Sequence, residues 1–513
     1  MLPHSHRPWL RRSYPTSRRR PLPAPETPLS RTPPSPRCRV SRLPTSIIPF
    51  TVRRLLFPAS AGIAEHRSTG SSTKKWFIIF WYCLLQAFVT LTTTTYVSAE
   101  FLVQETYGGS TQVIALGQSM FIIGTAVGPA FLGPLSDING RKWVYVGAIF
   151  VYAILNIGCA KALNLPMLII FQFLCGAAGS VALCNVAGTI ADLFGDSDGA
   201  GQPMALFVAS ANSGPSIGSP VGEWIAENPN MGLPWVFWIN VIIGAAFALG
   251  MCFLPETLPR TVIARAVRKQ RSADPQEVAI AEKIDVLKEM RFVTTMALKI
   301  MVTEPIVLFL GLYNGFAYGL LFLYLDGVFD VFVYNNGLSF IGADLTYLNF
   351  IVGVTIMFCI VPLQTYLYRR DRLSHGTNRP EARFLTSLVG VWGFPISLLW
   401  FAFTDDGSVS FWSPVVAGGL LAVCDPLLWL AMLNYLTDSY PSVAASAVAA
   451  FLIPSFLIAA GLAHAGIAMF ENMTTKWAMA TLGFISFGLV ALVYVLFFFG
   501  PRIRARSRLA RKS

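Results

Sequence analysis

An acidic residue, Asp425, lies near the middle of the apolar run 411–435. A carboxylate at the centre of a bilayer costs about 2.5–3.5 kcal/mol on insertion scales, so such residues are kept where they serve a function or find partners. We expect Asp425 to bind a substrate cation or a proton. A buried acid satisfied by neighbouring hydroxyls is the alternative. His464, in the run 445–470, is a candidate partner, although a lone histidine in such a run is more often a packing residue.

Other polar and aromatic residues in these apolar runs complete the candidate set for binding a substrate or a proton. They are Gln86, Gln172, Asn185, Tyr313, Asn314, Tyr318 and Trp429. Aromatic faces with polar edges suit amphipathic or cationic ligands, and packing between helices explains them equally well. Thr90 and residues 92–95 form a hydroxyl stripe that either lines a cavity or bonds its own backbone carbonyls.

Further acids lie near the ends of the runs. Six of them, Glu100, Asp192, Glu223, Glu304, Asp326 and Asp438, are interpreted as solvated helix ends.

The elements that must position these residues are membrane spans. The chain has 513 residues, of which 54% are hydrophobic and 13% charged, with a mean hydropathy of +0.56. That balance is typical of a polytopic membrane protein. Twelve apolar runs are long enough to cross a bilayer: 76–98, 111–133, 143–162, 166–190, 203–225, 235–255, 304–326, 344–366, 384–404, 411–435, 445–470 and 478–499.

The basic residues are distributed on one side of these runs. All of the 39 lysines and arginines except Lys161 and Lys476 fall in the termini or after the second, sixth and eighth runs. Positive charge collects on the cytoplasmic side, so both termini are predicted to be cytoplasmic. This distribution also argues against a nucleic-acid partner, which the net charge of +12 alone would suggest.

The proline- and arginine-rich residues 1–73 are predicted to be a disordered cytoplasmic tail. A mitochondrial targeting segment, or a start at a later Met, is the alternative. The cysteines show no metal spacing, and no nucleophile–base pair or nucleotide motif is present. We therefore expect no enzymatic activity, no cofactor and no metal site.

The polar stretch GPLSDINGRK at 133–142 separates two apolar runs, so it is predicted to be a short turn in water at one membrane face. Gly133 and Gly140 allow a close approach and a sharp turn. Asp137 can pair with Arg141 or cap a helix, and Arg141 with Lys142 marks the cytoplasmic face.

A second motif, GPSIGSPVG, carries Gly214, Gly218 and Gly222 at intervals of four, which makes one smooth helical stripe for close helix packing. Pro215 and Pro220 bend the helix.

The stretch 133–142 resembles the signature loop of the major facilitator superfamily through Gly133, Leu135, Asp137, Gly140, Arg141 and Lys142, with Ile138 in place of the usual base. The resemblance implies that the loop is a conformational latch with Asp137 as its acid. GPSIGSPVG is similar to the antiporter motif of the same superfamily, with its second proline one place late.

Other stretches, including 304–326 and 434–451, resemble the fungal branch of twelve-span drug:proton antiporters. Gln172 and Pro454 stand where members of that branch often have arginine, which argues against proton antiport by the usual route.

The predicted fold is an all-α membrane protein with twelve transmembrane helices in two six-helix bundles, the major facilitator fold. We divide the chain into the tail 1–73, a first bundle 74–255, a cytoplasmic linker 256–302 with an interfacial helix around Ile280, Ile284 and Leu287, a second bundle 303–500 and a basic tail 501–513.

The predicted function is secondary active transport by alternating access, as proton-coupled export of small amphipathic or cationic compounds such as drugs, toxins or polyamines. Import or facilitated diffusion of a nutrient is one alternative, and a non-transporting membrane sensor is another. Expected partners are a small-molecule substrate, protons and the lipid bilayer. We expect a monomer in the plasma membrane, with a vacuolar membrane left open.

Overall fold

A computed structural model describes residues 72–195, 197–259, 261–262, 286–376, 379–441, 443–507 and 509–510. The regular structure of these residues is entirely helical. Most of the predicted tail 1–73 lies outside the described residues, and so do Ile280 and Ile284 of the predicted linker helix.

Twelve spans follow one another in the described residues. Ten are helices long and apolar enough to cross a membrane; span 5 is more polar, and span 9 is built from shorter pieces. In order, spans 1 to 12 are Ser72–Ser98, Thr111–Asn139, Arg141–Ala160, Leu165–Phe194, Ser197–Glu227, Leu233–Phe253, Pro305–Val328, Phe340–His375, Pro380–Ala402, Trp412–Ser439, Ala444–Asn472 and Thr475–Arg506.

Further helical segments connect the spans in the part of the chain that the structure describes. Glu100–Tyr107 follows span 1, a linker helix Val286–Thr303 precedes span 7, and a π-helical segment Phe329–Asn335 follows span 7. We call the end of the bundle where span 1 begins and span 12 ends the basic end and the opposite one the far end. The positive-inside rule predicts that the basic end is cytoplasmic.

Span 9 is interrupted, whereas the sequence predicts one continuous run over 384–404. It consists of a 3₁₀ turn Pro380–Phe384 and the helices Ser387–Gly390 and Gly393–Ala402. Gly390 and Gly393 pack against Leu427 and Cys424 of span 10. Kinks in helices commonly fall at such glycines, where a neighbouring helix approaches closely.

Spans 1 and 5 are joined by the glycine stripe of span 5. A Cβ atom added at Gly214, Gly218 or Gly222 would collide with backbone or hydroxyl atoms of span 1 between Ala87 and Ser98. The Thr94 hydroxyl donates to the Pro215 carbonyl at 2.8 Å, which satisfies a carbonyl group in the bent part of span 5. The stripe thus allows two helices to approach to backbone contact.

Spans 7 and 11 form the corresponding pair in the second half, but there the glycines lie on the earlier helix. Gly311, Gly315 and Gly319 of span 7 pack on Phe451, Pro454, Ser455 and Ala459 of span 11. Pro454, which replaces an arginine that similar sequences often carry, is therefore in contact with Gly311 and shows a packing role.

The two halves meet through span 5 with span 8 and through span 2 with span 11. At the far end, Ser219 of span 5 donates to Asp344 of span 8 at 2.8 Å. Towards the basic end, Thr365 of span 8 lies beside Gly201 of span 5. The linker helix contacts both span 2 and span 11, and Thr294 lies 3.4 Å from the Ala130 carbonyl oxygen.

The last helix continues beyond residue 500, where the sequence predicts the start of a tail. Arg504 makes two hydrogen bonds of 3.0 and 3.1 Å to Glu381, and both side chains are buried. An ion pair of this kind fixes the end of span 12 to the start of span 9.

We expect Gly218→Ala to lower the thermal stability of the protein in detergent, because its methyl group meets the Leu91 carbonyl and Thr94. Overpacking of this sort costs about 1–3 kcal/mol. Gly147→Ala is the matched control, since no described heavy atom lies within 4 Å of the added Cβ. Equal melting temperatures for the two variants would contradict backbone contact between spans 1 and 5.

Candidate functional site

A cavity lies between the two halves of the bundle. Spans 1, 2, 4 and 5 contribute from the first half, and spans 7, 10 and 11 from the second. Its polar lining consists of Gln86, Thr90, Thr93, Thr125, Ser180, Asn212, Asn314, Tyr318 and Asp425. The cavity is therefore built from both halves, with amides and hydroxyls on both sides and a carboxyl group on the second-half side.

Asp425 reaches this cavity from the middle of span 10, one residue before the helix proline Pro426. None of the described side chains donates a hydrogen bond to it or pairs with it as a cation. An ionised carboxylate in such a place requires water, a cation or a proton. The group is thus available to a ligand in the cavity.

The cavity wall around Asp425 is aromatic. Tyr318 and Phe456 pack edge to face with ring centroids 5.5 Å apart, and Trp429 lies one turn after Asp425 on the same helix. The Trp429 ring nitrogen and the Gln86 side-chain oxygen are buried and have no hydrogen-bond partner among the described residues. One donor and one acceptor are therefore free to orient a planar or cationic guest.

Five of the nine predicted binding residues line this cavity, and four do not. Tyr313 is buried against Phe394, and Gln172 is buried in span 4 outside the lining. Asn185 accepts a hydrogen bond from Ser136 near the basic end. His464 bonds Gln112 of span 2 at 3.0 Å, so its neighbour is an amide of the other half, and it does not line the cavity with Asp425.

The threonine stripe of span 1 divides between the two roles expected for it. Thr90 and Thr93 line the cavity, whereas Thr92 bonds Tyr152 and Thr94 bonds span 5. Thr125, Ser180, Asn212 and Phe456 also line the cavity and were not predicted. Their sequence signal is weak, because small polar residues in apolar helices also occur where helices simply pack.

At the basic end, Arg141 organises the first half. Its guanidinium contacts Asp137 at 2.9 Å and Asp192 at 3.0 Å, and Ser136 accepts a bond of 2.9 Å. The Arg141 backbone N–H donates to Glu256, which follows span 6. All of these groups belong to the first half, so they tie the ends of spans 2, 3, 4 and 6 together.

Two glycines make the Arg141 cluster possible. Gly140 has a φ of 99°, a conformation that side chains with a Cβ rarely adopt, and it faces Glu256. Gly188 of span 4 leaves room for the Arg141 guanidinium. Gly133 has open space around it, and Lys142 donates to the Cys252 carbonyl at 2.6 Å.

The second half repeats the arrangement at the same end. Arg383 of span 9 contacts Asp438 of span 10 at 2.8 Å, and its guanidinium stacks on Tyr368 at 3.7 Å. In the first half the corresponding pair is Arg141 of span 3 with Asp192 of span 4. The basic segment 368–383 is thus the structural counterpart of the 133–142 loop.

Glu304, at the start of span 7, is buried and does not form a solvated helix end. It accepts hydrogen bonds from Tyr440 at 3.0 Å and Ser507 at 2.7 Å. Burial, with Glu304 nearby, raises the pKa of Tyr440 above its usual value, so this hydroxyl remains a donor. The contact joins the start of span 7 to the segments that follow spans 10 and 12.

The sequence profile of the Major Facilitator Superfamily matches residues 82–463. The chain belongs to this superfamily. Two solved structures of the xylose transporter XylE have a TM-score of 0.58 to this chain at 13–14% identity; one covers 83% of this chain and 97% of its own, which shows the shared fold.

Three curated relatives in this superfamily are fungal. An uncharacterized transporter of Schizosaccharomyces pombe is 51% identical over 438 residues, which cover 85% of this chain and 81% of that protein. The vitamin B6 transporter bsu1 of the same yeast is 43% identical, with coverage of 85% and 82%. The ascochitine biosynthesis cluster MFS transporter of Didymella fabae is 29% identical, with coverage of 86% of each.

The superfamily and the transporter names of the relatives indicate a multi-pass membrane transporter rather than an enzyme, as the predicted fold class implies. Its cavity occupies the place between two six-helix halves where this fold holds its substrate.

We expect Asp192→Asn to destabilise the transporter and Asp137→Asn to leave its stability nearly unchanged. Asp192 is 17% exposed and Asp137 is 49% exposed, while both contact the buried Arg141. Removing one partner of a buried ion pair costs about 3–5 kcal/mol, whereas an exposed pair contributes about 0–1 kcal/mol. Thermal unfolding in detergent measures the difference, and equal losses would show that Arg141 depends on both acids alike.

Proposed function

We propose that this transporter carries a small aromatic nitrogen compound across the membrane, coupled to protons through Asp425. The observation that carries the proposal is a lone carboxyl group in an aromatic cavity, with no cationic partner among the described residues. Such a group binds either a proton or the positive charge of a ligand, and the two compete for it. That competition is the basis of exchange by alternating access.

The lining suits a planar ring with polar substituents. Tyr318, Phe456 and Trp429 offer aromatic faces, on which a cationic ring gains about 0.5–2 kcal/mol. A hydroxyl group of the ligand can donate to the free Gln86 oxygen, and a ligand oxygen can accept from the Trp429 ring nitrogen. A protonated ring nitrogen then places its positive charge beside the Asp425 carboxylate.

Pyridoxine, a form of vitamin B6, has this chemistry: a pyridine nitrogen and several hydroxyl groups on one small ring. The relative named as a vitamin B6 transporter is similar to this chain over most of both sequences. This similarity supports pyridoxine as the first compound to test.

Export of an amphipathic product is the second candidate. A relative from a biosynthesis cluster and the resemblance to drug:proton antiporters favour it. Gln172 replaces the arginine often linked to proton coupling in that branch, so coupling would depend on Asp425 in this case too. For either substrate we infer a monomer in the plasma membrane with the basic end in the cytoplasm.

The loop residues Gly133, Asp137, Gly140, Arg141 and Lys142 act as a conformational latch in this proposal. The described polar partners of Arg141 all lie in the first half. The latch would therefore operate by keeping the end of that half rigid while the halves move relative to each other.

We expect Asp425→Asn to abolish pyridoxine transport driven by a pH gradient in proteoliposomes, because the amide cannot take up and release a proton. Exchange of labelled for unlabelled pyridoxine at equal pH should survive at least in part. Asp406→Asn, in the exposed loop after span 9, is the control that keeps wild-type transport.

Gradient-driven transport by Asp425→Asn at the wild-type rate would place the coupling site elsewhere. If neither the wild type nor Asp425→Asn transports pyridoxine, and the wild type instead takes up or releases an amphipathic cation, the second candidate is favoured.

We expect Trp429→Phe to raise the KM for pyridoxine with little change in the maximal rate. The variant keeps an aromatic face and removes the free ring N–H. Loss of one hydrogen bond costs about 0.5–1.5 kcal/mol, or roughly a two- to tenfold rise in KM. An unchanged KM would mean that the Trp429 nitrogen does not touch the substrate.

A further inference from the structure

Two acids are buried at the far end, where spans 1, 5 and 8 meet. Asp344 of span 8 is fully buried and Glu223 of span 5 is 4% exposed. The sequence predicts a solvated helix end for Glu223, and the structure places it within the protein. These residues are distant in sequence from Asp425 and are not part of the cavity lining.

A chain of hydroxyl groups connects Asp344 to the first half. The Ser219 hydroxyl of span 5 donates to one Asp344 oxygen at 2.8 Å. Ser98 of span 1 lies 3.0 Å from Ser219 and is placed to donate to it. The hydrogen bond from Ser219 to Asp344 thus joins the two halves, and it lies within the GPSIGSPVG motif.

The environment of the second Asp344 oxygen favours binding of a proton. It is buried and has no hydrogen-bond partner among the described residues. The titratable neighbours of this site are acids, since Glu223 and Glu227 face it from span 5, while span 1 presents the hydroxyl of Ser98. The described residues place no Lys, Arg or His against it.

A negative charge on Asp344 is therefore opposed twice in this arrangement. Burial without a cation removes the water that would stabilise the charge, and the neighbouring acids Glu223 and Glu227 repel it. Protonation removes both penalties because the neutral acid carries no charge. Separation of the halves removes them instead by exposing the carboxylate to water.

We propose that Asp344, with Glu223 beside it, is a second proton-binding site that closes the far end of the transporter. A proton from water at that end neutralises Asp344, and the neutral group stays buried on Ser219 with the halves in contact. When Asp344 loses the proton to water, the carboxylate favours the separated, hydrated arrangement. The inference rests on alternating access as proposed above, but not on the substrate or on Asp425.

The direction of the pH effect follows from proton linkage. The closed far end binds the proton more tightly than the open one, so the closed form gains as pH falls and the open form gains as pH rises. Each tenfold difference in proton affinity between the two forms changes their ratio by up to the same factor.

The test measures the distance between spin labels at Asn230, after span 5, and Tyr334, before span 8, in lipid nanodiscs at pH 5 and pH 8. Both positions lie in segments at the far end, one in each half. Cysteines are introduced at these two positions, the native cysteines are replaced, and this background must keep the melting temperature of the wild type. We expect the fraction of long distances to rise about tenfold or more at pH 8.

Four variants separate the proposal from a general effect of pH. Asp344→Asn should keep the short distance at both pH values. Glu223→Gln should reduce the size of the shift, because one repelling charge is lost. Ser219→Ala should raise the fraction of long distances at both pH values. Glu105→Gln, an exposed acid in the helix that follows span 1, should behave like the wild type.

A wild-type distance that does not change with pH would overturn the proposal, as would a full pH response in Asp344→Asn. If Asp344→Asn does not fold, an undiminished shift in Glu223→Gln contradicts the proposal by itself. The distance measurement requires no substrate. A pH-dependent distance without gradient-driven pyridoxine transport would therefore support this site and refute the proposed function. Gradient-driven pyridoxine transport without a pH-dependent distance would support the proposed function and refute this site.

Discussion

The arrangement of this transporter depends on where charge can be neutralised. Its lysines and arginines are confined to the ends of the spans, so an acid deeper in the bundle cannot rely on a basic side chain. At the basic end, acids and arginines meet in compact pairs such as Arg383 with Asp438. Farther from that end, the structure places no basic side chain of the described residues against Asp425 or Asp344, so in the proposed mechanism a proton supplies the counter-charge.

The same constraint separates the rigid parts of the molecule from those that have to move. Ion pairs at the basic end bind neighbouring spans within one half, as Arg141 does for spans 2, 3, 4 and 6. Glycine stripes join spans 1 and 5 and spans 7 and 11, again within each half. Contacts between the halves that the described residues show include uncharged donors, such as Ser219 on Asp344 and Gln112 on His464. Contacts of this kind can break without stranding a buried cation.

Sequence reasoning predicted what depends on composition and local spacing. The twelve spans follow from apolar length, and Asp425 was found because a carboxyl group in the middle of a span is costly wherever it points. The glycine stripe of span 5 was visible because residues four apart share a face. These features need no knowledge of which helices are neighbours.

The features that sequence reasoning missed are set by neighbours. Glu223 and Glu304 lie near helix ends, where solvent is the default environment, and each is instead covered by another element of the fold. His464 lies among many packing residues in the part of span 11 nearer the far end. Only the fold shows that Gln112 lies opposite it. Helical periodicity places a side chain on a face, but it does not say whether that face meets lipid, water or another helix.

Asp425 and Asp344 occupy different places in the fold, and these places favour different tasks. Asp425 faces the cavity, where we propose that a proton competes directly with a ligand. Asp344 lies at the boundary between the halves, where we propose that a proton competes with hydration of the opened interface. A protonation event at the boundary changes which side is accessible, while one in the cavity changes what is bound. A carrier needs both changes to be linked, and in the proposed mechanism the two carboxyl groups provide that link through a shared dependence on proton concentration.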